Sequence, residues 1–251
     1  MLSWRSKRRI SYIALLLIFI IIIGALFYFF YRPDPSCFDN KKNGTETGFD
    51  CGGDCVRVCT QTLIPLKILW VRPMLVTTDT YSVASLIENP NLKVGIKELS
   101  YTIHLTNDVG EIITSRSGVA TVLPEERFII FESNIITTEP VRQAFIVLSD
   151  DPYWQNLSAD KPLIRISQQQ LTQNPRPRLE ALIRNETVSD LSNVEVVVVL
   201  SGSDGNAFAA SRTVVNVLPH LSSQNIFFTW PNLFSTEPVL IDFYPRVLNS
   251  Q

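Results

Sequence analysis

The chain has 251 residues, 45% of them hydrophobic, with 22 Lys+Arg against 24 Asp+Glu, 2 His and 4 Cys. A formal net charge of −2 excludes the basic footprint of a nucleic-acid binder, and two histidines leave little material for a His-based catalytic or zinc centre. The length permits one or two domains with self-sufficient cores.

The first segment, residues 1–9, carries Arg5, Lys7, Arg8 and Arg9 and no acid. An apolar run from Ile10 to Tyr31 follows, 22 positions interrupted only by Ser11 and Gly24. At 1.5 Å per helical residue it reaches roughly 33 Å, enough for the hydrocarbon core of a bilayer. A cleaved signal peptide has a shorter apolar region ending in a small-x-small site. Here Gly24-Ala25 runs on into Leu26-Phe27-Tyr28-Phe29-Phe30-Tyr31, and Asp34-Pro35-Ser36 before Cys37 is not a lipobox. Residues 10–31 are therefore predicted to be an uncleaved transmembrane helix whose partner is the lipid bilayer. The basic cluster predicts a cytoplasmic N-terminus and an extracytoplasmic C-terminal bulk. From position 10 onward 18 basic residues face 24 acidic ones, a net of −6, so the exported part is mildly acidic.

Residues 32–61 form a Cys-rich stem holding all four cysteines, Cys37, Cys51, Cys55 and Cys59. Two disulfides fit an oxidising compartment and a segment too short to bury a core, and three pairings remain open. A four-thiolate zinc site needs paired C-x2-4-C knuckles, which the gap from Cys37 to Cys51 breaks. A redox dithiol needs two intervening residues, where Cys51 and Cys55 have three. Asp39, Asn43, Glu46 and Asp50 are interleaved with turn-forming glycines, a donor set of the kind calcium takes. The alternative is a polar, disulfide-tied turn region with solvated carboxylates, and the spacing is not that of an EF-hand.

The stem text C-x-D-x3-N-G-x-E-T-x2-D-C-G-G-x-C-x3-C resembles a short Cys/Gly/Asp repeat of surface and secreted proteins in Bacteroidetes and small-genome candidate-phylum bacteria. Two departures stand out: Asn40 replaces a glycine, and one extra residue precedes Cys59. The resemblance implies a bacterial exported protein, a disulfide-stabilised module and calcium binding. It does not imply an enzyme.

The remainder reads as an internal duplication. Leu86-Ile87-Glu88-Asn89 corresponds to Leu182-Ile183-Arg184-Asn185, and the strand Leu99–Leu105 to Val194–Leu200. Val122-Leu123-Pro124 corresponds to Val217-Leu218-Pro219, and Thr138-Glu139-Pro140-Val141 to Thr236-Glu237-Pro238-Val239. The offsets are 96, 95, 95 and 98. Two copies, 62–150 and 162–251, are predicted, with a polar connector at 151–161. In copy one the runs near 64–71, 81–88, 99–106, 112–122, 127–131 and 141–148 are β-branched or aromatic and separated by turn signals. The predicted fold class is thus mainly β: a transmembrane helix, a small disulfide-rich module and two tandem Ig-like antiparallel β-sandwich domains. Leu182–Asn185, the Val-rich strand, Asp204-Gly205, Leu218-Pro219 and Phe227-Phe228 also resemble FxLYD-type and late-embryogenesis-abundant-type sandwich domains, which implies the fold and no activity.

The copies differ at one strand. Ser100, Thr102 and His104 interleave the first, whereas Glu195, Val197 and Val199 interleave the second. Val197 and Val199 are therefore candidate contacts with the other copy or a partner, a more deeply buried central strand being the alternative. Trp70 and Trp230 are expected in cores, while Trp154 in the connector is the candidate for an exposed contact. No G-x-S-x-G, H-E-x-x-H or P-loop text occurs, and His104 and His220 read as solvated side chains. The expectation is a non-catalytic structural or interaction protein with an envelope protein or glycan as partner. A carbohydrate- or peptide-binding sensory ectodomain is the alternative.

Overall fold

The computed structural model describes residues 4–31, 34–157 and 161–247. Arg32-Pro33 of the stem, 158–160 of the connector and 248–251 of the second copy lie outside the described residues. The chain divides into two compact units, 1–55 and 56–251.

In the first unit, helix α1 spans Trp4–Tyr31. Its window Arg8–Tyr31, 24 residues, has a mean hydropathy of 3.1 and no buried side chain. A helix that is apolar on every side and covered by no protein has the composition of a membrane span. After it, residues 34–55 form turns around one isolated bridge, Gly48 to Cys51.

The second unit is built of antiparallel strands. Copy one contains β1 (Lys67–Thr77), β2 (Thr80–Asn89), β3 (Val94–Thr106), β4 (Ile112–Val122), β5 (Glu126–Ile136) and β6 (Gln143–Leu148). A short β7 (Trp154–Asn156) follows in the connector. Copy two contains β8 (Ile164–Thr172), β9 (Arg178–Asn185), β10 (Leu191–Ser201), β11 (Ala207–Leu218), β12 (Ser223–Thr229) and β13 (Leu240–Val247). The sheet orders are β1-β2-β5 and β4-β3-β6 in the first copy, and β8-β9-β12 and β11-β10-β13 in the second. Each strand of one copy therefore has a counterpart in the other at the same place in the same order.

Period-two alternation explains the packing. In copy one Val83, Ile87, Leu99, Tyr101, Ile103, Leu105, Phe128 and Ile130 point between the two sheets and form one core. In copy two Leu179, Ile183, Val194, Val196, Val198, Leu200, Ile226 and Phe228 do the same. A third cluster joins Met74, Ala84, Leu86, Ile129 and Phe131 of copy one to Val197, Val199 and Ala210 of copy two. Sheet β1-β2-β5 thus packs back to back on sheet β11-β10-β13, and the second unit is a stack of four β layers.

The matching Leu-Ile-x-Asn texts mark a clamp at the end of β2 and β9. Asn89 is buried and its Nδ2 donates to the carbonyls of Val94 and Leu123, both at 2.8 Å. Asn185, fully buried, donates to the carbonyls of Ser189, Leu218 and Pro219 at 2.8, 3.1 and 3.2 Å. In each copy the buried amide ties a strand end to the Leu-Pro turn that leads into the opposite edge. Buried carbonyls there have no water to turn to, so the asparagine is a structural requirement.

Candidate functional site: the joint between the copies, the stem and the cleft at Trp154

The joint begins with sequence differences at equivalent positions. Outward positions of β10 carry Val197 and Val199, 1% and 2% exposed, where β3 carries Thr102 and His104. The receiving face presents Ala84, Leu86, Ile129 and Phe131, where copy two has Glu180, Leu182, Asn225 and Phe227. Val197 and Val199 accordingly face the other copy and are inaccessible to an outside partner. Fully burying a valine side chain contributes about 1.5–3 kcal/mol, so a cluster of this size holds two small domains in one body.

Polar groups ring the apolar joint. Arg246 Nε donates to Glu126 Oε1 at 2.8 Å, with both side chains nearly buried. The same guanidinium donates to Glu126 Oε2 at 3.2 Å and to the Thr121 carbonyl, and its Cζ sits 4.4 Å from the centroid of Phe128. Arg72 Nη2 donates to Asn206 Oδ1 at 2.9 Å, and Asn232 Nδ2 to the Val76 carbonyl at 2.8 Å. Beside this ring lies a cleft of about 510 Å³ lined by Tyr101, Glu195, Arg212 and Arg246 among others. Tyr101 donates to Glu132 Oε1 at 2.7 Å, and burial, then that hydrogen bond, push its phenol far above the ordinary value. Its ring crosses β4 at Gly118, where a Cβ would lie 2.3 Å from the Tyr101 hydroxyl. Of the joint residues, the sequence pattern singled out Val197, Val199 and the interleaved Glu195, and not Arg246, Arg72, Arg212 or Asn232. Arg246 and Glu126 lie 120 positions apart, and single charged residues in strands carry no signal of whom they meet.

In the stem the cysteines pair as Cys37–Cys55 and Cys51–Cys59. The oxygen donors make turns. Asp50 accepts the backbone N–H groups of Asp39 and Asn40 at 2.9–3.1 Å. Asp39 accepts Lys41 N–H at 3.0 Å and Asn43 Nδ2 at 2.7 Å, while Glu46 accepts Asn43 N–H at 3.2 Å. Among the described residues the acid-or-sulfur group that does converge is Cys37, Glu46 and Cys55. Both of its sulfurs belong to one disulfide and are no ligands. The carboxylates of Asp39, Glu46 and Asp50 do not gather in one such group, while Asn43 Oδ1 is buried with no hydrogen-bond partner among the described residues. Asn40 has φ +55°, which accounts for an Asn where the resembled repeat has Gly, since Asn tolerates the left-handed region best after it. Gly53, at φ +58°, lies against the Thr45 carbonyl, 2.1 Å from where a Cβ would stand.

Trp154 corrects an expectation. It is not an exposed contact: it is 5% exposed and belongs to the copy-one core. The reason is β7, which pairs Trp154, Gln155 and Asn156 with Ile96, Gly95 and Val94 of β3, beyond the end of β6. The polar connector thus contributes a strand, and its tryptophan fills the end of the sandwich. Trp230 is buried in the second core and donates its Nε1–H to the Ala210 carbonyl at 3.1 Å; Trp70 packs half-buried on the joint.

Beside Trp154 is a second cleft, about 460 Å³, bounded by residues 60–66 on one side and 148–154 on the other. Leu63, Ile64, Leu66 and Leu148 supply its apolar walls, and Asp150 and Asp151 line it as well. Asp151 forms a bidentate pair with Arg57 at 2.8 and 2.9 Å.

The histidines are surface pairs. His104 Nδ1 lies 2.7 Å from Ser115 Oγ, its cross-strand neighbour, and its ring lies 4.9 Å from that of Phe145. His220 Nδ1 lies 2.8 Å from Asp190 Oδ1, which also accepts the His220 backbone N–H. Those hydrogen bonds, backbone first, hold the Asp190 carboxyl below the ordinary aspartate value. Comparison with protein-family models and with curated proteins returns no match for the chain.

Proposed function

We propose that the chain is a membrane-anchored extracytoplasmic interaction protein without catalytic activity, presenting two fused β-sandwiches to a protein or glycan of the cell envelope. The observation that carries the reading is the order of parts: a bilayer-length apolar helix with a basic end, then two disulfides, then an all-β body. Disulfides persist in oxidising compartments, which supports a stem on the extracytoplasmic side. The basic residues Arg5, Lys7, Arg8 and Arg9 then stay inside. The likeness of the stem to surface-protein repeats supports the same placement, and the strand connectivity of each copy suits an Ig-like presenting domain. The stem acts as a cross-linked spacer made of turns.

The test is made on cells expressing the full chain. A membrane-impermeant amine reagent is expected to label lysines of 67–161 on intact cells, and the four cysteines are expected to resist alkylation until reductant is added. Lysines protected in intact cells, together with freely alkylated cysteines, would overturn the reading. The alternative, an ectodomain that recognises peptide, is favoured by one feature: the apolar cleft with acidic residues beside Trp154.

A further inference from the structure

We infer that the cleft between residues 60–66 and 148–154 is a receptor for a lysine side chain of a partner polypeptide; the inference rests on the interaction reading above and names the chemistry of one contact. Three observations carry it. The first is that the walls are built in advance. Asn91 is buried, donates from Nδ2 to the Ile64 carbonyl at 2.7 Å and accepts the Ile64 N–H on Oδ1 at 3.0 Å. Its amide is held in turn by Asn89 Oδ1 at 2.9 Å. On the other side the Trp154 carbonyl accepts Val58 N–H at 2.8 Å. A recess whose walls are already fixed spends little of its binding free energy on ordering itself.

The second is shape and character. About 460 Å³ falls in the range of ligand clefts, and Leu63, Ile64, Pro65, Leu66, Leu148 and Trp154 make the walls apolar. The third is charge. Asp151 is neutralised by Arg57, while Asp150 has no ion-pair partner among the described residues. The lining therefore carries one uncompensated negative charge. Its complement is an aliphatic stem ending in one compact cation, which is a lysine: the methylenes lie on the walls and the ammonium reaches the carboxylate. A mildly acidic exported part, net −6 from position 10, adds long-range attraction for a basic partner. At the position equivalent to Asn91, copy two carries Thr187, whose hydroxyl bonds Asn185 and Ser189 instead of a preceding segment.

The experiment uses the full chain in detergent micelles and follows the Trp154 indole N–H resonance, assigned by its loss in Trp154→Phe. The probes are Nα-acetyl-lysine-methylamide, its norleucine analogue, which keeps the stem and lacks the ammonium, and its arginine analogue. Saturable perturbation of the indole is expected with the lysine probe, three- to fivefold tighter than with norleucine, the range of an exposed ion pair. Asp150→Asn is expected to erase that difference while leaving the rest of the spectrum unchanged. Equal binding of lysine and norleucine, tighter binding of arginine, or an unaffected Asp150→Asn variant would each overturn the assignment. The labelling of intact cells reads the placement of the chain independently of these outcomes.

Discussion

The two copies share strand order, core positions and the buried asparagine clamp, yet treat their outer faces in opposite ways. The face of copy two built on β10 is apolar and covered; the equivalent face of copy one bears Thr102, His104, Ser115 and Ser117 and is open. Conversely, Ala84 and Ile129 make the receiving face of copy one apolar, while Glu180 and Asn225 at the matching places of copy two bond one another at 2.8 Å. Arg178 stacks on Phe227 there, 4.2 Å from its centroid. A head-to-tail contact of this kind can repeat from chain to chain. The outer faces at the two ends mix polar side chains with exposed apolar ones such as Phe145 and Val147, unlike the continuous apolar surface of the joint.

The largest expected effect lies at the polar rim of the joint. Arg246→Ala leaves the Glu126 carboxylate buried without its cation and is expected to lower stability by about 3–5 kcal/mol in denaturant unfolding. Next comes the direct contrast between the faces. Val197→Lys puts a charge into the apolar joint and is expected to cost about 3 kcal/mol, whereas Thr102→Lys at the equivalent open position stays within about 0.5 kcal/mol. Similar costs for both would mean that the faces do not differ in role. What the copies share is checked by Asn89→Ala and Asn185→Ala, each expected to cost about 2 kcal/mol through stranded buried carbonyls. A large effect in one copy only would break the equivalence of the clamps.

The smallest effect is electrostatic and confined to copy two. The Asp190 carboxyl is held below its ordinary value by His220, so what it adds to folding is present above the unfolded aspartate value. It fades as pH falls through the lower folded value. His220→Ala is expected to move the Asp190 titration part of the way back in a carboxyl NMR titration, because the backbone hydrogen bond, the larger cause, survives.

Much of this architecture was legible in the sequence. The duplication, the six strands of each copy and the helix all follow from period-two alternation, turn residues and an unbroken apolar run. The contrast of Val197 and Val199 with Thr102 and His104 pointed to a covered face, because a strand apolar on both sides has two neighbours to satisfy. Which neighbour was illegible, since the complementary surface is spread over β1, β2 and β5. The strand at Trp154 was illegible for another reason. Three residues between Pro152-Tyr153 and Leu157 are too few to show a period, and only the start of β3, which β6 does not reach, calls them into the sheet. In the stem, the acids that read as candidate ligands also cap backbone amides, a use that spacing does not reveal.

That the two sandwiches are joined into one cooperative body is tested most directly by unfolding the full chain in micelles with denaturant. Single-tryptophan variants retaining either Trp154, in the first core, or Trp230, in the second, report each copy separately. Superimposable transitions are expected, shifting together in a Val197→Lys background until they part. Two well-separated transitions in the unaltered joint would contradict it.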